Sequence, residues 1–379
     1  MFVNEETKKD TTQDLKKKQN LIKIIVLAVM VLAVTFVAKN DYGMYKTPIG
    51  RVISCEEKVT SGKKDIEKAY VQTLKIKIKN TSNKGKVITV KNKYTQSRFQ
   101  TTGYSKGQDV FLNTSGSGDI SKASVQKVKL DYITIFLIAL FIAFTIYVAK
   151  RQTILILLSV GLNIVVFTIG LNGYAAGKNL IHLTAILTLV FIFATVILLF
   201  GFSRKSIGTI FSSIGTVAIV ALIYAIIVYF SPELNYEYVP YTIGFENIEV
   251  LYDTGLLFGI LGAVMDVAIT INAAVCELIR VSTTLTMKKL INSIQEIAYD
   301  IMGTMINVVF FTFICGEIPV YVLKMLNGYS FIEIMKNGEE FEIIRFLVGA
   351  LGIVLAIPVS GVIAVLVNHK GFKAKKEDK

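Results

Sequence analysis

The chain has 379 residues, 53% of them hydrophobic and only 18% charged, with a formal net charge of +13. Soluble domains carry roughly 25% charged residues, and no single soluble core could hide the number of long apolar runs found here, so a soluble globular protein is excluded. The positive balance does not point to nucleic acid. The lysines sit in tails and loops beside apolar runs, where anionic lipid and a positive-inside bias account for them.

A polar, lysine-rich tail at 1–20 precedes LIKIIVLAVMVLAVTFVA. No small-x-small cleavage site follows, which predicts an uncleaved signal anchor spanning 21–38. Residues 41–130 form the one large section outside the apolar runs, and there the period changes to two. In QTLKIKIKN, Leu74, Ile76 and Ile78 alternate with Lys75, Lys77 and Lys79. KGKVITVKN, GQDVFLNT and SVQKVKL read as further short strands between Gly, Asn and Ser breaks, and TSGSGDISKAS reads as loop. The expectation is a small β-barrel-like domain of about five strands, its lysines forming a wetted face.

Further runs predict spans at 131–149, 153–171, 180–200, 207–230, 251–279, 301–323 and 346–367, each close to the ~20 residues that cross a hydrocarbon core as helix. The fold class is thus an all-α polytopic membrane protein of about eight transmembrane helices. The β domain lies between the first and second helices, a seven-helix bundle occupies 131–367, and a basic tail occupies 368–379. Eight crossings put both termini on one face. That face receives Lys16 to Lys18, Lys150 and Arg151, Arg204 and Lys205, Arg280, Lys288 and Lys289, and the lysines of the tail. The opposite loop 231–250 has Glu233, Glu237, Glu246 and Glu249 with no Lys or Arg, and its Tyr236, Tyr238 and Tyr241 suit an interface belt or lid. Both termini are predicted cytoplasmic, and the β domain extracytoplasmic.

The sixth span carries the sharpest chemical signal. Counting in helical steps from Asp266 gives Thr270, Ala273 and Glu277 forwards and Gly262, Gly259 and Gly255 backwards, all on one stripe. Glycines admit close backbone approach. On a lipid face a mid-depth aspartate costs about 2.5–3.5 kcal/mol on insertion scales, so it is expected to face protein or a wet cavity. Two readings stay open: a structural carboxyl bonded across a helix interface, or an ion, proton or substrate path. Glu277, with Arg280 after it, reads most simply as a boundary salt bridge.

The seventh span places Asp300, Thr304 and Asn307 on one face with Gly303 beside them. Antiparallel packing on the sixth span would bring Asp300 nearer the depth of Glu277 and Asn307 nearer that of Asp266. The eighth opens with Glu342 and Arg345 one turn apart, an ion pair at the outer edge. Gly349, Gly352, Ala356 and Ser360 continue as a small-residue strip, and Pro358 serves as hinge or kink. His182 and Asn163 are isolated.

Cys55, Cys276 and Cys315 suggest neither a disulfide framework nor a metal site. No nucleotide-binding, zinc-protease or serine-hydrolase motif occurs. No cofactor and no enzymatic activity are expected.

GLLFGILGAVMDVAITI, DIMGTMINV and EIIRFLVGALGIVLAIPVS, with KIKIKN, GKVITVKN and YSKGQDVFL upstream, resemble the YibE/F-like family of bacterial integral membrane proteins. The shared positions are Gly259, Gly262, Asp266, Asp300, Gly303, Thr304, Glu342, Arg345, Gly349 and Gly352. Thr270 stands where that family usually has Ser, Ile306 where Thr is common, and Ala350 where Ser is common. The resemblance implies architecture and a cytoplasmic-membrane location rather than an activity. The layout is also similar to the half-unit of proton-driven exporters. The leading expectation is an ion- or proton-coupled transporter with Asp266 as protonatable centre. Its partners would be the lipid bilayer, protons or other ions, and a membrane-protein partner or second copy. The alternative is a non-transporting scaffold or biogenesis factor whose outer domain binds a partner.

Overall fold

Alternating valine, isoleucine and lysine can bury one side of a pleated strand and wet the other, and the segment after the first helix does so. A computed structural model describes residues 3–61, 68–98, 101–114, 120, 123–230, 248–281, 286–336 and 340–368. The loop carrying Tyr236, Tyr238 and Tyr241 and the tail beyond Asn368 lie outside the described residues. Two compact units divide the chain, Met1–Thr153 and Ile154–Lys379.

In the first unit, helix α1 (Val3–Asn40) leads into strands β1 (Ile49–Ser61), β2 (Ala69–Ile78), β3 (Val87–Thr95), β4 (Asp109–Asn113) and β5 (Ser124–Val128), then helix α2 (Asp131–Ala149). The sheet is wholly antiparallel in the order β3-β2-β1-β4-β5. Among the described residues no ladder joins β3 to β5. Leu74 faces Val90 and Cys55 across the strands, and Ile76 faces Ile88 and Val52. These side chains build the core of the sheet with Ile78, Val110 and Leu112, while Lys75 and Lys77 point out. Strand β1 is the one that sequence period does not announce. Its register slips between Val52 and Ser54 and again between Val59 and Ser61, and each bulge reverses the alternation.

The second unit holds α3 (Thr153–Ala175), α4 (Leu180–Phe200), α5 (Arg204–Phe230), α6 (Ile248–Val281), α7 (Met287–Leu326), the short α8 (Phe331–Lys336) and α9 (Glu340–Val367). Seven stretches among the described residues are long and apolar enough to cross a bilayer, and Asp131–Ala175 counts as one of them. A 3₁₀ turn at Lys150–Gln152 divides that stretch into α2 and α3. Helix α7 begins well before the predicted span because its first turns are amphipathic. Leu290, Ile294 and Ala298 are buried while Lys288, Lys289 and Glu296 are exposed. The chain is therefore mostly helical, with several long apolar helices that fit a multi-pass membrane protein and a small antiparallel sheet near the N-terminus.

Point contacts give the helix directions. Gly170 lies against Leu187 and Gly173 against Leu183, so α3 and α4 run antiparallel. Asn272 lies against Gly208, and Asp253 accepts a hydrogen bond from Tyr224, so α5 and α6 are antiparallel too. Gly255 meets Arg345, Gly349 meets Ile260 and Gly352 meets Val264, which makes α6 and α9 parallel. Gly349 also meets Val309, and Gly361 meets Ile294, so α7 opposes α9. Direction thus alternates along the chain from α3 to α7 and α9. The α9 strip of Gly349, Gly352, Ala356 and Ser360 is the contact face of this unit: Gly349 and Gly352 touch α5, α6 and α7 side chains, and Ala356 and Ser360 are fully buried.

At Gly208 a β-carbon would overlap the Asn272 carboxamide oxygen. Gly208→Ala is therefore expected to lower stability by about 1–3 kcal/mol, the usual cost of overpacking. Thermal unfolding of the purified protein checks this, and Asn272→Ala should relieve most of the loss in the double variant. Simple additivity of the two changes would contradict the contact.

Candidate functional site

Helix α6 has neighbours on most sides, and they use up its apolar faces. Thr254 accepts a hydrogen bond from Thr184 of α4 at 3.3 Å, and Phe258 meets Phe191 edge-to-face at 5.9 Å. Leu256, Ile260, Val264, Val267, Ala268 and Ile271 are fully buried. The face that remains carries the predicted stripe. Gly255, Gly259, Gly262, Asp266, Thr270 and Glu277 are all exposed in the chain, and Ala273 is half-buried.

The stripe does not behave uniformly. A β-carbon at Gly259 would crowd Phe313 of α7 at 2.9 Å, and one at Gly255 would lie 3.7 Å from Arg345. These two glycines serve helix contacts, as expected. Gly262 has nothing within 4 Å of its missing β-carbon, and neither has Gly303 on α7. The Asp266 carboxylate has no hydrogen bond or ion pair among the described residues. Thr270 donates to the Asp266 backbone carbonyl at 2.8 Å.

On α7, Asp300, Gly303, Thr304 and Asn307 are likewise exposed. Thr304 donates to the carbonyl of Ile301 at 2.9 Å, and Asn307 to that of Gly303 at 2.8 Å. Thr270, Thr304 and Asn307 each bond back to a carbonyl of their own helix, and no side-chain hydrogen bond joins the two stripes among the described residues. The contacts of Gly259 with Phe313 and of Gly349 with both Val309 and Ile260 set the relative height of α6 and α7. They bring Asp266 level with the turn from Gly303 to Asn307. Asp300 comes level with Thr270 and its neighbours rather than with Glu277, because α7 runs on for more than three turns before it.

The two predicted ion pairs form. Glu277 holds Arg280 at 2.7 Å on an exposed surface, where such pairs contribute little. Glu342 holds Arg345 at 2.7 Å, with both side chains largely buried. Arg345 also lies over the rings of Tyr252 at 4.7 Å and Phe313 at 5.7 Å, so one guanidinium ties α9 to α6 and α7.

Two polar sites escape sequence reasoning. Asn272 is fully buried and donates to Ser212 at 3.1 Å and to the Ala268 carbonyl at 2.8 Å. Along the same helix α5, Thr209, Ser212, Ser213 and Thr216 are also fully buried, as is Ser360 of α9. Small hydroxyl residues in an apolar helix read as weak helix formers, and the SSIGT run of α5 was their only signal. The other site is in the first unit. The Lys129 ammonium, 1% exposed, meets Asp41 at 2.8 Å, Asp131 at 2.9 Å and the carbonyl of Ala38 at 2.7 Å. Tyr45 donates to Asp131 as well, and that hydrogen bond pushes its phenol up to about 12. One cation thereby links the end of α1, the end of the sheet and the start of α2.

Two family models account for most of the chain. The model described as YibE/F-like protein matches residues 137–370, and the YibE/F family N-terminal domain matches residues 43–128. The chain belongs to the YibE/F-like family. No curated protein and no solved structure matches it. In this YibE/F-like chain the N-terminal-domain match covers the whole sheet and stops just short of Lys129, so Asp41, Lys129 and Asp131 bracket it. The 137–370 match contains both polar stripes, Asn272 and Arg345.

Inside the sheet domain, Arg51 of β1 grips Asp109 of β4 through two hydrogen bonds of 2.8 Å, and Tyr42 donates to the same carboxylate at 2.8 Å. Burial alone would push the Asp109 carboxyl up. The hydrogen bonds from Arg51 and Tyr42 and the guanidinium charge outweigh it and hold the group below its usual range. The folded state therefore binds fewer protons at Asp109 than the unfolded chain, whose carboxyl titrates near 3.9 by general reference values. The stabilisation is complete above about pH 5 and is lost as pH falls through the depressed value. Sheet unfolding followed by tyrosine fluorescence should show a midpoint that drops below about pH 4. Asp109→Asn should be less stable at pH 6 and show a shallower acid-dependent step, the remainder coming from Asp131, whose carboxylate Tyr45 and Lys129 also hold. An unchanged acid slope in the variant would refute the assignment.

Proposed function

We propose that this protein is an ion- or proton-coupled membrane transporter, with an exporter's layout and Asp266 as its protonatable centre. The observation that carries this reading is an aspartate midway along an apolar helix with no partner among the described residues. It stands on an open face beside Thr270 and level with Asn307. A carboxyl fixed in a structural hydrogen bond would be spent on that bond. One without such a bond, beside side-chain-free Gly262 and level with Gly303, is free to exchange a proton or meet an ion.

In this reading α1 to α7 and α9 make eight crossings of the bacterial cytoplasmic membrane, with both termini cytoplasmic. The alternating helix directions and the basic residues at α1, at the α2–α3 turn, at the start of α5 and around the α6–α7 connection support that orientation. The five-stranded sheet would then be a barrel-like outer domain that shapes substrate entry or release. Asp300 and Thr304 would extend the path towards the cytoplasmic side.

The test is proton flux in proteoliposomes carrying an entrapped pH-sensitive dye under an imposed pH gradient. Wild type is expected to dissipate the gradient, Asp266→Asn to fall to the level of protein-free vesicles at equal incorporation, and Asp266→Glu to retain part of the flux. Equal flux in wild type and Asp266→Asn would remove the proposal. The second reading, a scaffold or biogenesis factor, draws on the same open glycines, which could seat a partner helix. It expects no flux from wild type and loss of partner recovery or abundance in the Asp266 variant.

A further inference from the structure

We propose that a groove between the middle of α1 and the last part of α2 binds the headgroup and upper acyl chains of an anionic phospholipid. The groove encloses about 730 Å³ and lies wholly within the first unit. Its walls divide by chemistry. Val26 and Ile146 belong to an apolar side, and Lys23, Lys150 and Arg151 gather at one end with Tyr147. None of those three cations has an ion-pair partner among the described residues.

The backbone presents the cations on purpose. Helix α2 stops at Ala149, and Lys150 takes φ 48°, a region that L side chains rarely adopt. Its amide still donates to the Ile146 carbonyl, and Thr153 closes the turn through a 2.9 Å hydrogen bond to the carbonyl of Thr145. Lys150 and Arg151 thus leave the helix together beside Lys23. Lys17 and Lys18, both exposed, extend the basic surface along α1.

Depth selects the ligand, and here the inference rests on the reading of α1 and α2 as membrane-crossing helices. The two run antiparallel, because Lys129 bonds Ala38 at one end while Lys23 shares the groove with Lys150 at the other. Fifteen residues of helix separate Ala38 from Lys23, about 22 Å at the usual rise. With a hydrocarbon core near 30 Å, Lys23 falls inside the boundary remote from the sheet, and its ammonium reaches back to headgroup level. A free phosphate would use the cations and leave the apolar wall idle. A zwitterionic lipid would fill the wall but bring its own cation to the basic end. An anionic phospholipid satisfies both.

The experiment uses the full chain, delipidated in detergent, with lipid binding read by native mass spectrometry. Phosphatidylglycerol, phosphatidylcholine and inorganic phosphate are the probes. Wild type is expected to prefer phosphatidylglycerol. Lys23→Gln combined with Lys150→Gln and Arg151→Gln should weaken that binding on the order of 100-fold, from about 1 kcal/mol per basic residue at a membrane surface. Val26→Ser should weaken it by several-fold, and the charge-conserving Lys150→Arg with Arg151→Lys should restore it. If the triple variant does not fold, Arg151→Gln alone carries the test with a drop of about fivefold. Equal phosphatidylglycerol binding in wild type and the basic-site variants overturns the proposal, as does indifference to headgroup charge. Full competition by inorganic phosphate with no effect of Val26→Ser assigns a free-anion site and overturns it as well. Proton flux is not measured here, so failure of the transport reading and failure of this one are distinguishable.

Discussion

Close approach of α5, α6 and α9 through positions with almost no side chain is the constraint on which the helical unit rests. Gly208 admits the Asn272 carboxamide, and Gly349 and Gly352 admit Val309, Ile260, Val264 and Val220. In lipid there is little hydrophobic gain in pairing one apolar helix with another, so packing contact and satisfied polar groups supply the association energy. Each such contact consumes part of a helix perimeter. Once α4, α5 and α9 have taken the apolar sides of α6, and Phe313 of α7 the edge at Gly259, the residual face is the one bearing Gly262, Asp266 and Thr270. The exposure of the aspartate follows from where the bundle spends its glycines.

A different economy governs the first unit. A sheet of five strands between two apolar helices could swing on its connections, since only a few residues join it at each end. Lys129 removes that freedom by holding Asp41, Asp131 and the Ala38 carbonyl at once. Burial alone would push that ammonium down. The hydrogen bonds to Asp41 and Asp131 and their charges outweigh the cost and raise it. A buried cation without both carboxylates would be strongly unfavourable, so the three residues stand or fall together. The sheet is thereby positioned on α1 and α2, the same hairpin that carries the basic groove at its far end.

Much of the candidate site is legible in the sequence. Helical spacing put Gly255 through Glu277 on one stripe, and they share one face. Adjacent charges at three-residue spacing announced Glu277 with Arg280 and Glu342 with Arg345. What spacing cannot say is which side of a helix meets its neighbours. The expectation of a glycine-lined interface holds at Gly259, Gly349 and Gly352 and not at Gly262 or Gly303, because a glycine in a sequence looks the same whether its missing side chain makes room for a helix or for nothing. Strand β1 was hidden for a related reason: two bulges break the alternation that revealed β2 and β3.

The sequence by itself determined the long apolar helices, the one β section between the first two, and the polar faces of α6 and α7. Those features depend on local period and composition, which a chain carries along its length. Tertiary structure alone decided that Asn272 and the α5 hydroxyls are buried, that Asp266 has no partner among the described residues, and that Lys129 gathers two carboxylates. It also brought Lys23 beside Lys150 and Arg151. Most of these depend on residues far apart in the chain, and packing, by assigning one face of a helix to a neighbour and leaving another open, decides which of them meet.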